Sequence, residues 1–241
     1  MINSIIQFIL ISIVSSILLP AGILKQEEVY AQNSPLGTNA TVLSSDGNSQ
    51  TGLQNKSVNY YGDSSGYLVY PTTNTTITSN TTTAVEAQKL PAVVMIHEWW
   101  GLNDNIKNMA NELASEGYVV LAADLFNGEV ATDPSRAREL SSSVRSNQNE
   151  AISNLQSAVK YLSSLPNVNA SRIASLGWCF GGGQSLQLAL NSEQQPLAAT
   201  ILYYGNLVND TNELSKIKWP VLGIFGDQDQ SISVESVNQF E

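Results

Sequence analysis

The stretch of this sequence best placed to do chemistry is a cysteine set among glycines, Gly177-Trp178-Cys179-Phe180-Gly181-Gly182-Gly183. Ile173 to Leu176, just before it, is a short apolar run that reads as a buried strand. Gln184 to Leu190, just after it, has helical composition and no breaker. Cys179 is therefore expected on a strand-to-helix turn, in the pattern Gly-x-Cys-x-Gly, as a nucleophile elbow with sulfur in place of the usual serine oxygen. A side chain at Gly177 or Gly181 would crowd the strand and helix that meet there. The helix N-terminus beneath Cys179 favours thiolate, so the thiol is expected to be more acidic than a free one. The Phe180 N–H is expected to face the place where an oxyanion would form. Two plainer readings compete, a buried structural cysteine and a phosphate cradle. The second is disfavoured because no Gly-Lys-Ser/Thr follows and the Gly-x-Gly-x-x-Gly spacing is absent.

Two further blocks carry polar residues at expected strand ends. His97-Glu98-Trp99-Trp100-Gly101 follows the run Ala92 to Ile96. A second oxyanion donor belongs on this loop, and the Trp99 N–H is the candidate. Glu98 is expected beside Cys179. His97, the one histidine of the sequence, should point away from Glu98 and serve packing or hydrogen bonding. Gly226-Asp227-Gln228-Asp229 follows the run Val221 to Phe225, where a triad acid would come after the nucleophile in chain order. Asp229 is favoured over Asp227, which suits a turn.

The elements that must position these residues alternate strand and helix. Val58–Tyr61 and Gly66–Tyr70 read as a hairpin around Gly62-Asp63-Ser64-Ser65. Ala92–Ile96 reads as a buried parallel strand. Asp104–Glu116 reads as a helix closed by Gly117, and Tyr118–Ala123 as the next strand. Asp133-Pro134 opens another helix. Asn149–Leu165 is amphipathic, with Ile152, Leu155, Val159 and Leu162 on one face. Strands at Ala198–Tyr204 and Val221–Phe225 complete the pattern. The alternation predicts an α/β fold, a mostly parallel sheet with helices on both faces that binds ligands at the carboxyl ends of its strands.

The formal charge of −10 at pH 7 leaves no basic stripe for phosphates and argues against nucleic acid. One cysteine excludes an internal disulfide framework. Residues 2–24 are mostly apolar, and Val29 and Ala31 suit a signal-peptidase site. The expectation for 1–31 is a secretory signal cleaved after Ala31, with an uncleaved membrane anchor as the alternative. Either places the rest outside the cytoplasm. Residues 32–57 read as a flexible linker and the folded domain as 58–241. Thr72 to Thr83 reads as a disordered or glycosylated insertion. Six Asn-x-Ser/Thr sequons, at Asn39, Asn55, Asn74, Asn80, Asn169 and Asn209, suit an exported glycoprotein. The expected partner is a small molecule alone, with no cofactor, no metal and a monomeric state.

Together, the His97–Gly101, Gly177–Gly182, Tyr203-Tyr204-Gly205 and Gly226–Asp229 blocks resemble the dienelactone hydrolase family in order and spacing, from about Val58 onward. The resemblance implies an α/β-hydrolase fold and hydrolysis of small esters or lactones. It implies Cys179 as nucleophile, Asp229 as the acid that orients a histidine, and Glu98 as the carboxylate contacting the resting cysteine. Trp99 and Phe180 would supply the oxyanion N–H groups, and Tyr203 or Tyr204 would line the pocket. The family's substrate-carboxylate arginine would be Arg136, or Arg138 as second choice. The family's triad histidine, last strand and last helix have no counterpart after Asp229, so a C-terminal truncation is expected. A non-catalytic binding or surface protein on the same fold is the alternative.

Overall fold

The computed structural model describes residues 52–72 and 89–241. The signal or anchor, most of the linker, nearly all of the Thr72–Thr83 insertion and the sequons at Asn39, Asn74 and Asn80 lie outside the described residues. Seven strands form one sheet: β1 (Leu53–Tyr61), β2 (Ser64–Pro71), β3 (Leu90–Ile96), β4 (Val119–Ala123), β5 (Val168–Trp178), β6 (Ala199–Tyr203) and β7 (Val221–Ile224). Their spatial order is β1-β2-β4-β3-β5-β6-β7. Only the β1–β2 and β2–β4 pairs are antiparallel; from β4 to β7 every pair is parallel. The expected mostly parallel α/β sheet is what the chain forms. β1 begins at Leu53, so the end of the expected linker is strand, and the hairpin turn contracts to Gly62-Asp63.

The helices are α1 (Asp104–Ser115), α2 (Pro134–Ser146), α3 (Gln148–Ser164), α4 (Phe180–Leu190), α5 (Thr211–Leu214) and α6 (Val234–Phe240). Their ends follow local chemistry. Asn103 caps α1, its side chain accepting the Ile106 N–H, and Gly117 past the last turn takes φ +97°. Asp133 caps α2 by accepting the Ser135 and Arg136 N–H groups ahead of Pro134. Alternate residues of the central strands face two apolar layers. Ala92, Val94 and Ile96 face Leu155, Val159 and Leu162 of α3 and Phe180 and Leu188 of α4. Val93 and Met95 face Ile106, Ala110 and Leu113 of α1. Helices thus cover both faces, and their apolar stripes set the sheet's position.

The register sets the site. Ile96 pairs with Gly177, Trp178 with Tyr203, and Tyr203 with Ile224. The residues that follow β3, β5, β6 and β7 therefore emerge side by side along one edge of the sheet. A polar cluster holds the loop after β4 near that edge. The Tyr60 hydroxyl accepts the Asp124 N–H at 2.9 Å and donates to Asn154 Oδ1 at 2.7 Å. Asn154 Nδ2 donates to the Asp124 carbonyl and to Ser64 Oγ. The Asp124 carboxylate accepts the Phe126 and Gly128 N–H groups. Tyr60→Phe removes the hub of this cluster and leaves the Asp124 N–H without its acceptor. We expect urea unfolding to show a loss of about 1–3 kcal/mol; an unchanged midpoint would mean that the cluster does not hold the loop.

Candidate active site

Cys179 stands between β5 and α4 at φ +54°, ψ −118°, a region that non-glycine residues seldom occupy. Packing holds it there. A Cβ on Gly181 would run into the Ile96 and His97 carbonyl oxygens, and one on Gly177 into the Gly181 backbone. The missing side chains let α4 approach β3 and β5 backbone to backbone. The Cys179 N–H donates to the Tyr203 carbonyl at 3.0 Å, and its own carbonyl accepts the Gly183 N–H. The turn is thereby fixed to β6 and to the first turn of α4.

The half-exposed thiol has mixed company. The Phe180 N–H donates toward its sulfur, and Arg145 adds positive charge. Burial outweighs both and pushes the thiol above its ordinary range, with the charges of Glu98 and Asp229 acting in the same direction. The acidic thiol expected from the helix N-terminus is therefore corrected: desolvation of the charged form dominates here.

Glu98 receives the Tyr204 hydroxyl at 3.3 Å on Oε1. Burial raises its pKa, and the tyrosine hydrogen bond partly offsets the rise. Burial raises Tyr204 as well, and the facing Glu98 charge adds to it. Tyr204, at φ +38°, is a second residue in an unfavourable backbone region, and its N–H is held by the Ile224 carbonyl at 2.8 Å. Of the two expected pocket tyrosines, Tyr204 stands at the site. Tyr203 lies under it, 2% exposed and stacked on Trp178. Neither the Tyr203 hydroxyl nor the Trp178 indole N–H has a partner among the described residues.

Asp229 is the aspartate whose charge reaches Cys179, and its Oδ1 accepts the Ser231 and Ile232 N–H groups. Asp227 is exposed on the same turn. The Trp99 N–H has no backbone acceptor among the described residues, and the Trp99 ring packs edge-on against Trp100.

The arginine differs from expectation. Arg136 forms a two-pronged pair with Glu129, at 2.5 and 2.7 Å, and meets Glu139 at 2.6 Å. Its fork is engaged by two carboxylates of its own chain, and its charge is not among those that act on Cys179. Arg145, in the last turn of α2, lies 5.5 Å from the centre of the Phe180 ring. The family resemblance points to an arginine on the helix after β4 without fixing its place there, and Arg145 stands at the opposite end of α2 from Arg136.

His97 is fully buried. Its Nε2 accepts the Leu125 N–H at 3.1 Å and its Nδ1 lies 2.6 Å from the Glu98 carbonyl. The ring points to Phe126 and Phe180, while Glu98 turns to Tyr204, the opposed directions expected of neighbours. Among the described residues no cluster of His, Cys, Asp and Glu could hold a metal ion, and no helix is long and apolar enough to cross a membrane.

The sequence model of the dienelactone hydrolase family matches residues 77–241. A Saccharolobus solfataricus protein named carboxymethylenebutenolidase is 30% identical over 175 residues, 58% of this chain and 67% of that one. Protein usf of Aquifex pyrophilus is 27% identical over 151 residues, 61% and 65% of the two chains. A solved dienelactone hydrolase-like promiscuous phosphotriesterase from metagenomic libraries superposes with a TM-score of 0.64 at 25% identity, covering 78% of this chain and 74% of that one. The matched stretch thus spans about two thirds of the length of these curated relatives.

Two measurements check the electrostatics. Glu98→Gln removes a negative charge that disfavours thiolate, so iodoacetamide should alkylate Cys179 faster near neutral pH; an equal rate would place Glu98 away from the sulfur, and a slower one would mean that Glu98 takes up the thiol proton even without substrate. Burial lowers the His97 pKa from its ordinary 6.5, against the Glu98 carbonyl and Asp124. Below that value the unfolded ring takes up a proton that the folded ring refuses, so this contribution to stability is full above it and shrinks as pH falls. His97→Gln should flatten the loss of stability seen in urea titrations on lowering the pH below 6.5; an unchanged slope would show that the ring titrates alike in both states.

Proposed function

The chain belongs to the dienelactone hydrolase family, and from that premise we propose that it is a hydrolase of small esters or lactones with Cys179 as nucleophile. The observation that carries the reading is the strained turn. Cys179 is held at φ +54° at the carboxyl end of β5, with Glu98, Asp229, Arg145 and the Phe180 N–H around its sulfur. Strain kept at such a point favours a role in reaction over one in packing.

In the proposed reaction the Cys179 sulfur attacks the substrate carbonyl carbon. The carbonyl π electrons move to oxygen, and the Phe180 and Trp99 N–H groups hold that oxyanion. Its collapse breaks the ester C–O bond, the departing alkoxide takes up the proton that the Cys179 thiol gave up, and an acyl-cysteine remains. Water then attacks the acyl carbon, the C–S bond breaks, the carboxylic acid leaves and the sulfur regains a proton. Arg145 is the proposed anchor for a carboxylate on the substrate, since its fork matches that group and Arg136 is engaged elsewhere. Asp229 is the proposed acid behind the histidine that would activate water. His97 cannot be that histidine, because both of its nitrogens are engaged inside the protein. Residues 1–241 contain no other.

Export is proposed on the apolar stretch of residues 2–24 and the Val29-x-Ala31 site, with glycans at the sequons. Of the described sequons, Asn55 and Asn209 are exposed. N-terminal sequencing of native protein should begin at Gln32; recovery of Met1 in membranes would favour the anchor.

Mixing residues 1–241 with p-nitrophenyl acetate should release at most one equivalent of nitrophenol, leaving an acyl group on Cys179 visible by mass spectrometry. General-base assistance is worth about 10²–10⁴-fold, so without the triad histidine the acyl group should persist. Cys179→Ala should abolish the burst, and a burst that survives it would put the chemistry elsewhere. Arg145→Ala should slow acylation by a carboxylate-bearing lactone such as dienelactone more than acylation by the acetate ester, which loses only the help that Arg145 gives the thiolate. Equal effects on both substrates would remove Arg145 from substrate binding.

A further inference from the structure

His97 has no place in the reaction just described, yet it is fully buried at the site and both of its nitrogens are used. Its protonation state follows from its partners. The Leu125 N–H can only donate, so Nε2 presents a lone pair. The ring proton is then on Nδ1, where it donates to the Glu98 carbonyl at 2.6 Å. Asp124 Oδ1 is 3.9 Å from Nε2, too far for a hydrogen bond, and the Asp124 carboxylate is turned to the backbone N–H groups of Phe126 and Gly128. The ring is a neutral tautomer held in one orientation.

The Glu98 carbonyl belongs to the same peptide plane as the Trp99 N–H. In a trans peptide these two groups point in opposite directions and turn together; the described chain has no cis peptide. Whatever fixes the Glu98 oxygen therefore aims the Trp99 N–H. That oxygen has two donors, His97 Nδ1 and, more weakly at 3.3 Å, the Gly101 N–H. The imidazole is anchored in turn by the Leu125 N–H, by Phe126 edge-on at 4.6 Å and by Phe180 stacked at 5.9 Å. It thus connects the loop after β4, the loop after β3 and the first residue of α4, the three segments that must keep register if two N–H groups are to converge on one oxygen.

We propose that His97 is a positioning residue that fixes the Glu98–Trp99 peptide plane and so aims the Trp99 N–H at the oxyanion. Its catalytic consequence rests on the acyl-transfer reading above; its structural content does not. His97→Phe keeps an aromatic ring between Phe126 and Phe180 and removes both hydrogen bonds. His97→Asn keeps a donor near the Nδ1 position. Alkylation by iodoacetamide forms no oxyanion, whereas acylation by p-nitrophenyl acetate does. Losing one aimed donor typically costs 10²–10³-fold, so His97→Phe should acylate about 10²-fold more slowly, His97→Asn should recover most of the rate, and both should alkylate within about threefold of the parent. Acylation by His97→Phe at the parent rate, or an equal fall in acylation and alkylation, would overturn the proposal. If the parent protein forms no acyl-cysteine at all, the acyl-transfer reading fails by itself, and His97 is then judged by nuclear magnetic resonance. The sequence has one histidine, so its ring nitrogens are unambiguous in untagged protein. A proton on Nδ1 with a protected Leu125 amide, lost in His97→Phe, sustains the clamp. A proton on Nε2, or a Leu125 amide equally protected in both proteins, overturns it.

Discussion

The approach of the α4 backbone to the ends of β3 and β5 is the constraint on which the site depends. It is possible only because Gly177 and Gly181 offer no Cβ to the carbonyl and amide groups they face. The close approach forces Cys179 to turn the chain in one residue, at a backbone angle that costs free energy by itself. The layers on either side offset that cost: Ile96, Phe180 and Leu188 pack on one face, and Met95, Leu176 and Trp178 on the other. The same approach sets the Phe180 N–H beside the sulfur and Phe180's ring between His97 and Arg145. Strain, donor and cation are consequences of one packing event.

The sequence made the fold and the turn legible for a physical reason. Apolar runs as short as Ala92–Ile96, behind Pro91, and Ile173–Leu176, ahead of Gly177, suit buried strands better than helices, and the Asp133-Pro134 and Gly117 signals mark helix ends through local bonds that need no tertiary context. Element ends were less legible. β1 reaches back to Leu53 because pairing with β2 satisfies a polar run, Gln54 to Ser57, that has no alternation of its own. The short α5 and α6 were not foreseen, since their caps, Asp210 and Ser233, lie in stretches without apolar periodicity.

Within the site, chain-local facts were readable and through-space facts were not. The opposed directions of His97 and Glu98 follow from their adjacency at a strand end. The Arg136–Glu129 pair does not, because it depends on the path of the loop between β4 and α2. Nor could residue types alone weigh the helix N-terminus against burial at Cys179. Both act on the thiol, and only the depth of the turn in the structure decides that desolvation is larger.

The charges around Cys179 constrain how an attack could begin. Glu98 and Asp229 oppose thiolate, Arg145 and the Phe180 N–H favour it, and burial raises both the thiol and the Glu98 carboxyl. Ionising the thiol alone would add a negative charge beside two carboxylates in a half-buried place. Moving the thiol proton to a neighbouring carboxylate would instead leave the net charge of the cleft unchanged. Glu98 suits that exchange better than Asp229, because burial already makes Glu98 more ready to hold a proton, while Asp229 Oδ1 is turned to the Ser231 and Ile232 N–H groups. A substrate carboxylate drawn to Arg145 would sharpen the preference, since it neutralises the cation that helps a bare thiolate. On the proposed chemistry, the binding of an anionic substrate and the relocation of the Cys179 proton are thus coupled by Coulomb's law within one cleft, with Tyr204 on the receiving carboxylate to hold it in place.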